Sequence, residues 1–273
     1  MRTLKDLGVL VTGAGRGIGK RLAIGFAQEG CRLGLLSRSK AELDLADLEI
    51  EHAGGVALRM RADVRDYEQV AAAVERMKVH YSGIHVLVCA AAIQGPIGPL
   101  AENDPVKWAE TLNTNLLGVM HVCRAVLPHM IEERRGKIIV LSGGGAASPR
   151  PNFSAYAASK AALVRLVESL ADEVRDHNIQ VNCMAPGGTY THMTDEILRA
   201  GEVAGWKDAE DARQVRLTGG VSPDKQIALA LFLASERSNH ISGKLIHVND
   251  DWKRLENTNI HPEIFTLRRK EKV

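Results

Sequence analysis

The chain has 273 residues, 45% of them apolar and 25% charged, which is ordinary globular composition with length enough for one large core. A net charge of +2 argues against nucleic acid or an anionic membrane as partner, and an aromatic content of 4% argues against base-stacking platforms. No stretch approaches the ~20 apolar residues of a membrane span, and no segment has the form of a secretory signal, so the expected location is cytoplasmic. Cys31, Cys89, Cys123 and Cys183 are widely spaced and read as small buried hydrophobes. No histidine or cysteine pair has metal-ligand spacing, so no metal is expected.

Short apolar runs alternate with longer helical patterns from end to end. Strands are predicted at 7–11, 32–36, 56–60, 86–89, 138–141, 180–184 and 245–248. Helices are predicted at 17–29, 40–52, 67–80, across most of 104–134, within 154–175 and at 224–233. Alternation of this kind implies a parallel sheet covered on both faces, with right-handed crossovers. The strands lack polar alternation, as expected for such a sheet. No repeat or low-complexity linker is present, so residues 1–250 read as one domain.

Two regions break the rhythm. Residues 189–220 have a weak helical pattern, scattered charges and several glycines. They follow a strand end, where open α/β sheets bind ligands, so they read as a lid or as a variable surface insertion. Residues 251–273 form a polar tail ending in Arg268, Arg269, Lys270 and Lys272, either solvated or against another subunit.

After the first strand comes Thr12-Gly13-Ala14-Gly15-Arg16-Gly17-Ile18-Gly19, and a helix follows at once. Glycines let a backbone turn sharply and approach a pyrophosphate, while a helix N-terminus offers free N–H groups and partial positive charge. The strict GxGxxG spacing is absent. The second strand ends at Ser37-Arg38. A carboxylate there would bind a ribose 2′-hydroxyl, whereas arginine accommodates a 2′-phosphate. Arg16 and Arg38 with no local carboxylate favour NADP(H), with NAD(H) possible; the lesser alternative is that both arginines are solvated.

The second chemical signal is Tyr156-Ala157-Ala158-Ser159-Lys160. At i, i+4 spacing both side chains lie on one helix face. A free tyrosine has a pKa near 10, too high for proton exchange at neutral pH, and a nearby ammonium lowers it. The pair therefore suits general acid–base work.

The fingerprint Thr12-Gly13-x-x-x-Gly17-x-Gly19, followed in order by Tyr156-x-Ala-Ser-Lys160-Ala-Ala, resembles the classical short-chain dehydrogenases/reductases, and the likeness runs to about Val248. The resemblance implies a Rossmann-type, doubly wound parallel sheet of seven strands in the order 3-2-1-4-5-6-7. It implies hydride transfer between a nicotinamide and a carbonyl/alcohol pair on a small molecule, in a homotetramer or homodimer. Tyr156 would protonate the carbonyl oxygen, and Lys160 would hold the nicotinamide ribose and tune Tyr156. Asn115 would support a water-mediated proton relay. Ser37 stands where the family's NAD enzymes carry Asp. Asp63 and Val64 match the adenine contact, although Asp63 or Asp66 could simply cap the next helix. Ala90 and Ala91 would lie along the cofactor. Pro186, Gly187 and Thr191 match the nicotinamide side, where an ordinary loop would look the same.

Two departures stand out. The family serine thirteen residues before the tyrosine is Gly143 here, and Ser142, one residue earlier, is the candidate to take its role. The family's NNAG reads Cys89-Ala90-Ala91-Ala92. These departures leave a second reading open, a nicotinamide-binding sensor or scaffold with reduced turnover. A nucleotide-sugar epimerase would need a larger C-terminal region than this chain offers.

Overall fold

The structure, a computed structural model, describes residues 4–81 and 83–269; Lys270 and Lys272 of the predicted basic tail lie outside them. Seven parallel strands form one sheet in the order β3-β2-β1-β4-β5-β6-β7, the predicted order. They are β1 (Gly8–Thr12), β2 (Arg32–Ser37), β3 (Val56–Arg61), β4 (Val86–Cys89), β5 (Gly136–Leu141), β6 (Ile179–Ala185) and β7 (Leu245–His247). Every residue of β1, β4 and β5 is buried, which is why these strands show no polar alternation.

Alternate strand residues feed two apolar layers. Leu10, Leu87, Ile138 and Val140 face helices α3 (Tyr67–Tyr81), α5 (Gly118–Glu132) and α6 (Ser154–Glu173). Val9, Val11, Val88, Ile139 and Leu141 face α1 (Gly17–Gln28), α2 (Lys40–His52) and α9 (Pro223–Ala234). The helix starts are written locally. Ser39 caps α2, Asp104 followed by Pro105 starts α4 (Pro105–Leu112), and Ser222 caps α9. Asp66 accepts from the Gln69 N–H and caps α3, the alternative that sequence left open against Asp63.

Two features position the site. Helix α4 passes through a π-turn, Asn113–Leu117, into α5, and such turns re-aim single side chains. Residues 189–220 form an excursion closed at its neck by an antiparallel bridge between Thr189 and Gly220. It contains α7 (His192–Ala200) and α8 (Trp206–Thr218). Phe153, Tyr156 and Ala204 form a small third cluster with Met193 and Ile197, so the excursion packs over the start of α6.

The chain after Asp250 is polar in composition but not free in solution. Trp252 and Leu255 are buried in the α9 layer. The Leu245 N–H donates to the Phe265 carbonyl, so the segment runs along the open edge of β7. Lys244 Nζ donates to the carbonyls of His261, Pro262 and Ile264 at 3.0, 2.7 and 2.9 Å. Arg268 pairs with Glu168 on α6.

Candidate active site

A cavity of about 1100 Å³ opens at the carboxyl ends of β1, β4, β5 and β6, beneath α7 and α8. That exceeds the ~300–1,000 Å³ of most small-ligand pockets and suits a dinucleotide plus a substrate. Of the residues singled out in sequence, Gly13, Arg16, Gly17, Ile18, Gly19, Ser37, Arg38, Val64, Ala90, Ala91, Ser142, Tyr156, Lys160, Pro186, Gly187 and Thr191 line it. Asp63 and Asn115 do not.

At one end the glycine turn forms a cradle. A Cβ on Gly13 would stand 2.7 Å from the Ala91 nitrogen, and one on Gly19 would stand 2.4 Å from the Gly13 carbonyl oxygen. Both are too close for any side chain. Gly13 and Gly17 also hold φ of +65° and +59°, where glycine is favoured. Thr12 Oγ1 accepts from the N–H groups of Ala90 and Ala91 at 3.1 and 3.3 Å, tying the ends of β1 and β4 together. Unlike α2, α4 and α9, α1 has no side chain capping its N-terminus. Free N–H groups at the head of a helix, beside backbone no side chain obstructs, fit a pyrophosphate.

The end of the cavity at Arg16 and Arg38 is more contested than its sequence suggests. Arg16 Nη1 lies 3.2 Å from Glu42 Oε1, and Arg38 Nη1 lies 3.9 Å from Asp63 Oδ2. Glu42 comes from α2. Its Cβ and Oε2 lie 2.7 and 3.2 Å from where a Gly15 Cβ would stand, next to Ser37 Oγ. The local window at Ser37-Arg38 holds no carboxylate, but one turn of helix brings one in. Asp63 is occupied by Arg65, whose Nε and Nη2 both bond its carboxylate, at 3.0 and 2.7 Å to Oδ2. Burial alone would push the Asp63 carboxyl up, but the Arg65 bonds outweigh it and hold it below its usual range.

At the other end, Tyr156 and Lys160 lie on the first turns of α6, both buried. Burial outweighs the opposing pull of the nearby Arg150 guanidinium and holds the Tyr156 phenol above its ordinary range. Burial pushes the Lys160 ammonium down to about 8, and its Nζ donates to the Leu141 carbonyl at 2.8 Å. Asn115, from the π-turn, sits behind this pair. Its amide donates to the Ile93 carbonyl at 3.0 Å and to Ser159 Oγ at 3.1 Å, and its Oδ1 accepts from the Ile93 N–H at 2.8 Å. Ser159 Oγ in turn donates to the Tyr156 carbonyl at 2.7 Å. Asn115 thus ties the loop after β4 to the helix that carries the tyrosine.

Ser142 Oγ is buried and bonds to nothing among the described residues; Gln94 Nε2 and Thr114 Oγ1, also in the cavity wall, are likewise unpartnered. What lies against the Tyr156 hydroxyl is Gly143, whose Cβ would stand 2.6 Å from it. Sequence reasoning missed Arg150, Glu42 and Gln94. Arg150 had one signal, a cation six residues before the tyrosine, and Glu42 was visible only as part of a helix face.

Comparison with known proteins bears on the family and the fold. The short chain dehydrogenase family matches residues 8–201. The 3-oxoacyl-[acyl-carrier-protein] reductase FabG of Thermotoga maritima is 33% identical over 247 residues, covering 88% of this chain and 95% of that protein. Among solved structures, NAD+-bound xylitol dehydrogenase superposes with a TM-score of 0.83 at 26% identity, covering 90% of this chain and 98% of the other. A variant of the actinorhodin polyketide ketoreductase with NADPH gives 0.82 at 27%, covering 91% and 97%. The chain belongs to the short-chain dehydrogenase/reductase family. It is an NAD(P)-dependent oxidoreductase acting on CH–OH and C=O groups. No helix among the described residues is long and apolar enough to cross a membrane.

Proposed function

We propose that this protein interconverts a small-molecule carbonyl and its alcohol with Tyr156 as general acid–base, using NADP(H) in preference to NAD(H). The observation that carries the reading is the continuous cavity that joins the uncapped head of α1 to the buried Tyr156–Lys160 pair. When bound, the nicotinamide supplies or accepts the hydride. The protein's own part is to orient and to move a proton. In reduction, the Tyr156 hydroxyl gives its proton to the carbonyl oxygen; in oxidation, the phenolate takes it from the alcohol. Lys160 holds the ribose from the floor of the cavity, and Asn115 keeps the loop after β4 and the Tyr156 backbone in fixed relation. Ser142 Oγ serves as second donor to the substrate oxygen, which would partner a hydroxyl otherwise left orphaned. Helices α7 and α8 act as the cover over the site.

Arg16 and Arg38 receive the 2′-phosphate by exchanging their present carboxylate partners for it. Glu42 and Asp63 offset part of that charge, so the preference for NADP(H) is a modest one. With the activity go a cytoplasmic location and a homo-oligomeric assembly, which light scattering would size. The alternative of a silent cofactor sensor gains nothing from the comparisons, whose printed names are those of reductases and dehydrogenases.

The test is a screen of ketones and aldehydes followed by NADPH absorbance. Tyr156→Phe should abolish turnover of any hit, by roughly 1,000-fold or more as for loss of a general acid, and should leave calorimetric cofactor affinity within about twofold. Near-normal turnover in Tyr156→Phe would overturn the assignment.

A further inference from the structure

We propose that Arg150 is a positioning residue for Tyr156: its guanidinium, clamped by Asp208 and laid over the aromatic rings, supplies the positive field at the phenol where Gly143 leaves no side chain to assist. The inference rests on the acid–base reading above.

Arg150 lies on the loop between β5 and α6, and its side chain is only 16% exposed. Nε and Nη2 both stand 2.7 Å from Asp208 Oδ1 on α8. Nη1 has no hydrogen bond among the described residues. The guanidinium carbon is 3.9 Å from the Phe153 ring centroid and 5.5 Å from that of Tyr156. A planar guanidinium stacks on aromatic faces in a way an ammonium does not. The glycines make room for this. A Cβ on Gly144 would stand 3.7 Å from Arg150 Cδ and Nη1, and one on Gly145, at φ +91°, would stand 2.6 Å from Ala157 Cβ. The loop therefore lies flat against α6, with the arginine on top of it and the Tyr156 hydroxyl against Gly143.

Other charged groups line the same cavity. Lys160 Nζ is also 5.5 Å from the ring centroid, but it is turned to the Leu141 carbonyl, and burial brings it down to about 8. Arg150 adds a second cation beside the same ring, and an arginine stays charged throughout the working range. From α8 come Asp208, already on Arg150, and Asp211; from α7 come His192 and Glu196, which face each other at 3.3 Å. Of these, the guanidinium is the permanent cation whose charge acts on Tyr156. Because Asp208 belongs to α8, the position of that helix also sets how firmly the cation is held.

The experiment compares wild type, Arg150→Met, Arg150→Gln and Arg150→Lys by two readouts. The first is the pH profile of kcat for alcohol oxidation. An opposite charge at ~4–6 Å shifts a pKa by about 1–3 units. Both neutral variants should therefore raise the kinetic pKa by about one unit and lose roughly tenfold at pH 7, recovering at high pH, while Arg150→Lys restores at least half the shift. Calorimetric cofactor affinity should hold within about twofold. The second readout needs no substrate: ring-carbon NMR of labelled tyrosine in the cofactor-loaded protein, titrated to about pH 11. Tyr156, assigned by loss of its signal in Tyr156→Phe, should titrate later in the neutral variants. An unchanged kinetic pKa overturns the proposal, and so does a wild-type Tyr156 that has not begun to titrate by pH 11. If the NMR shift is present while Tyr156→Phe still turns over substrate, the acid–base reading fails and the electrostatic role of Arg150 stands.

Discussion

The cavity is bordered by two glycine runs, at 13–19 after β1 and at 143–145 after β5, and they are alike in composition but not in what they permit. In the first, Gly13 and Gly19 are crowded by backbone: Ala91 lies against Gly13, and the Gly13 carbonyl lies against Gly19. Removing side chains there lets the chain fold onto itself and present bare N–H groups. In the second, Gly143 and Gly144 face polar side chains. The Tyr156 hydroxyl lies against Gly143, and Arg150 runs beside Gly144. Removing side chains there lets reactive groups occupy the space a side chain would take. A backbone cradle is a property of spacing and repeats wherever that spacing recurs; a vacancy filled by neighbours is a property of one site.

The contrast can be broken by refilling each run. Gly19→Val should have the largest effect, because its Cβ would meet a carbonyl that has nowhere to go. Overpacking of this kind costs ~3 kcal/mol, or roughly 100-fold in cofactor affinity by calorimetry. Binding within a few-fold of wild type would show that the cradle is softer than its contacts imply.

Ser142→Ala probes the second run at its edge and should split stability from activity. The buried hydroxyl has no partner in the free protein, and an orphaned polar group costs about 1–3 kcal/mol. Its removal should leave Tm unchanged or raised. If the hydroxyl serves the substrate oxygen, kcat should fall by roughly 30-fold, the equivalent of ~2 kcal/mol. A lowered Tm with normal kcat would assign Ser142 to structure alone.

Gly143→Ser places a serine where the resemblance expects one and should nonetheless harm the enzyme. Its Cβ would stand 2.6 Å from the Tyr156 hydroxyl, so either the loop or the tyrosine must shift. We expect kcat to fall roughly tenfold, about 1.4 kcal/mol, with cofactor affinity preserved. A rise in kcat would show that the loop adapts and that the glycine is a loss rather than an exchange.

What the sequence made legible follows the same division. The sheet order, the alternation of layers and the Tyr156–Lys160 face were readable because each depends on residues close in the chain or on a regular period. The glycine cradle was readable because spacing on one βα turn carries it. Asp63 reads as a ligand contact in sequence; its bonds to Arg65, two residues on, appear only once the turn forms. Asn115 was legible from its motif, but the bonds that fix it, to the Ile93 backbone and to Ser159 beside the tyrosine, depend on the π-turn that carries it. The chain after Asp250 reads as polar because its anchors are isolated: Trp252 and Leu255 inside, and one lysine reaching three carbonyls. Arg150 and Glu42 depend on which loop meets which helix, and no local window contains that information.

Glu42 gives the smallest and most specific expected effect, and it bears on the cradle from outside the glycine run. Sequence found two arginines and no carboxylate at the adenosine ribose; the structure adds Glu42, paired to Arg16 at 3.2 Å beside Ser37. The pair is exposed enough to contribute little to stability, about 0–1 kcal/mol. Its effect on ligand choice is larger than its effect on fold. A carboxylate there opposes a 2′-phosphate and can accept from a 2′-hydroxyl, so it favours NAD(H) against the arginines. Glu42→Gln keeps the shape and removes the charge. Calorimetric titration should show NADPH binding strengthened and NADH slightly weakened, moving their ratio by roughly fivefold, or ~1 kcal/mol, with Tm nearly constant. Adding Arg16→Ala to Glu42→Gln should return the ratio toward its starting value, because the freed guanidinium is what the phosphate gains. A ratio that does not move in Glu42→Gln would place the discrimination at Ser37 and Arg38 alone.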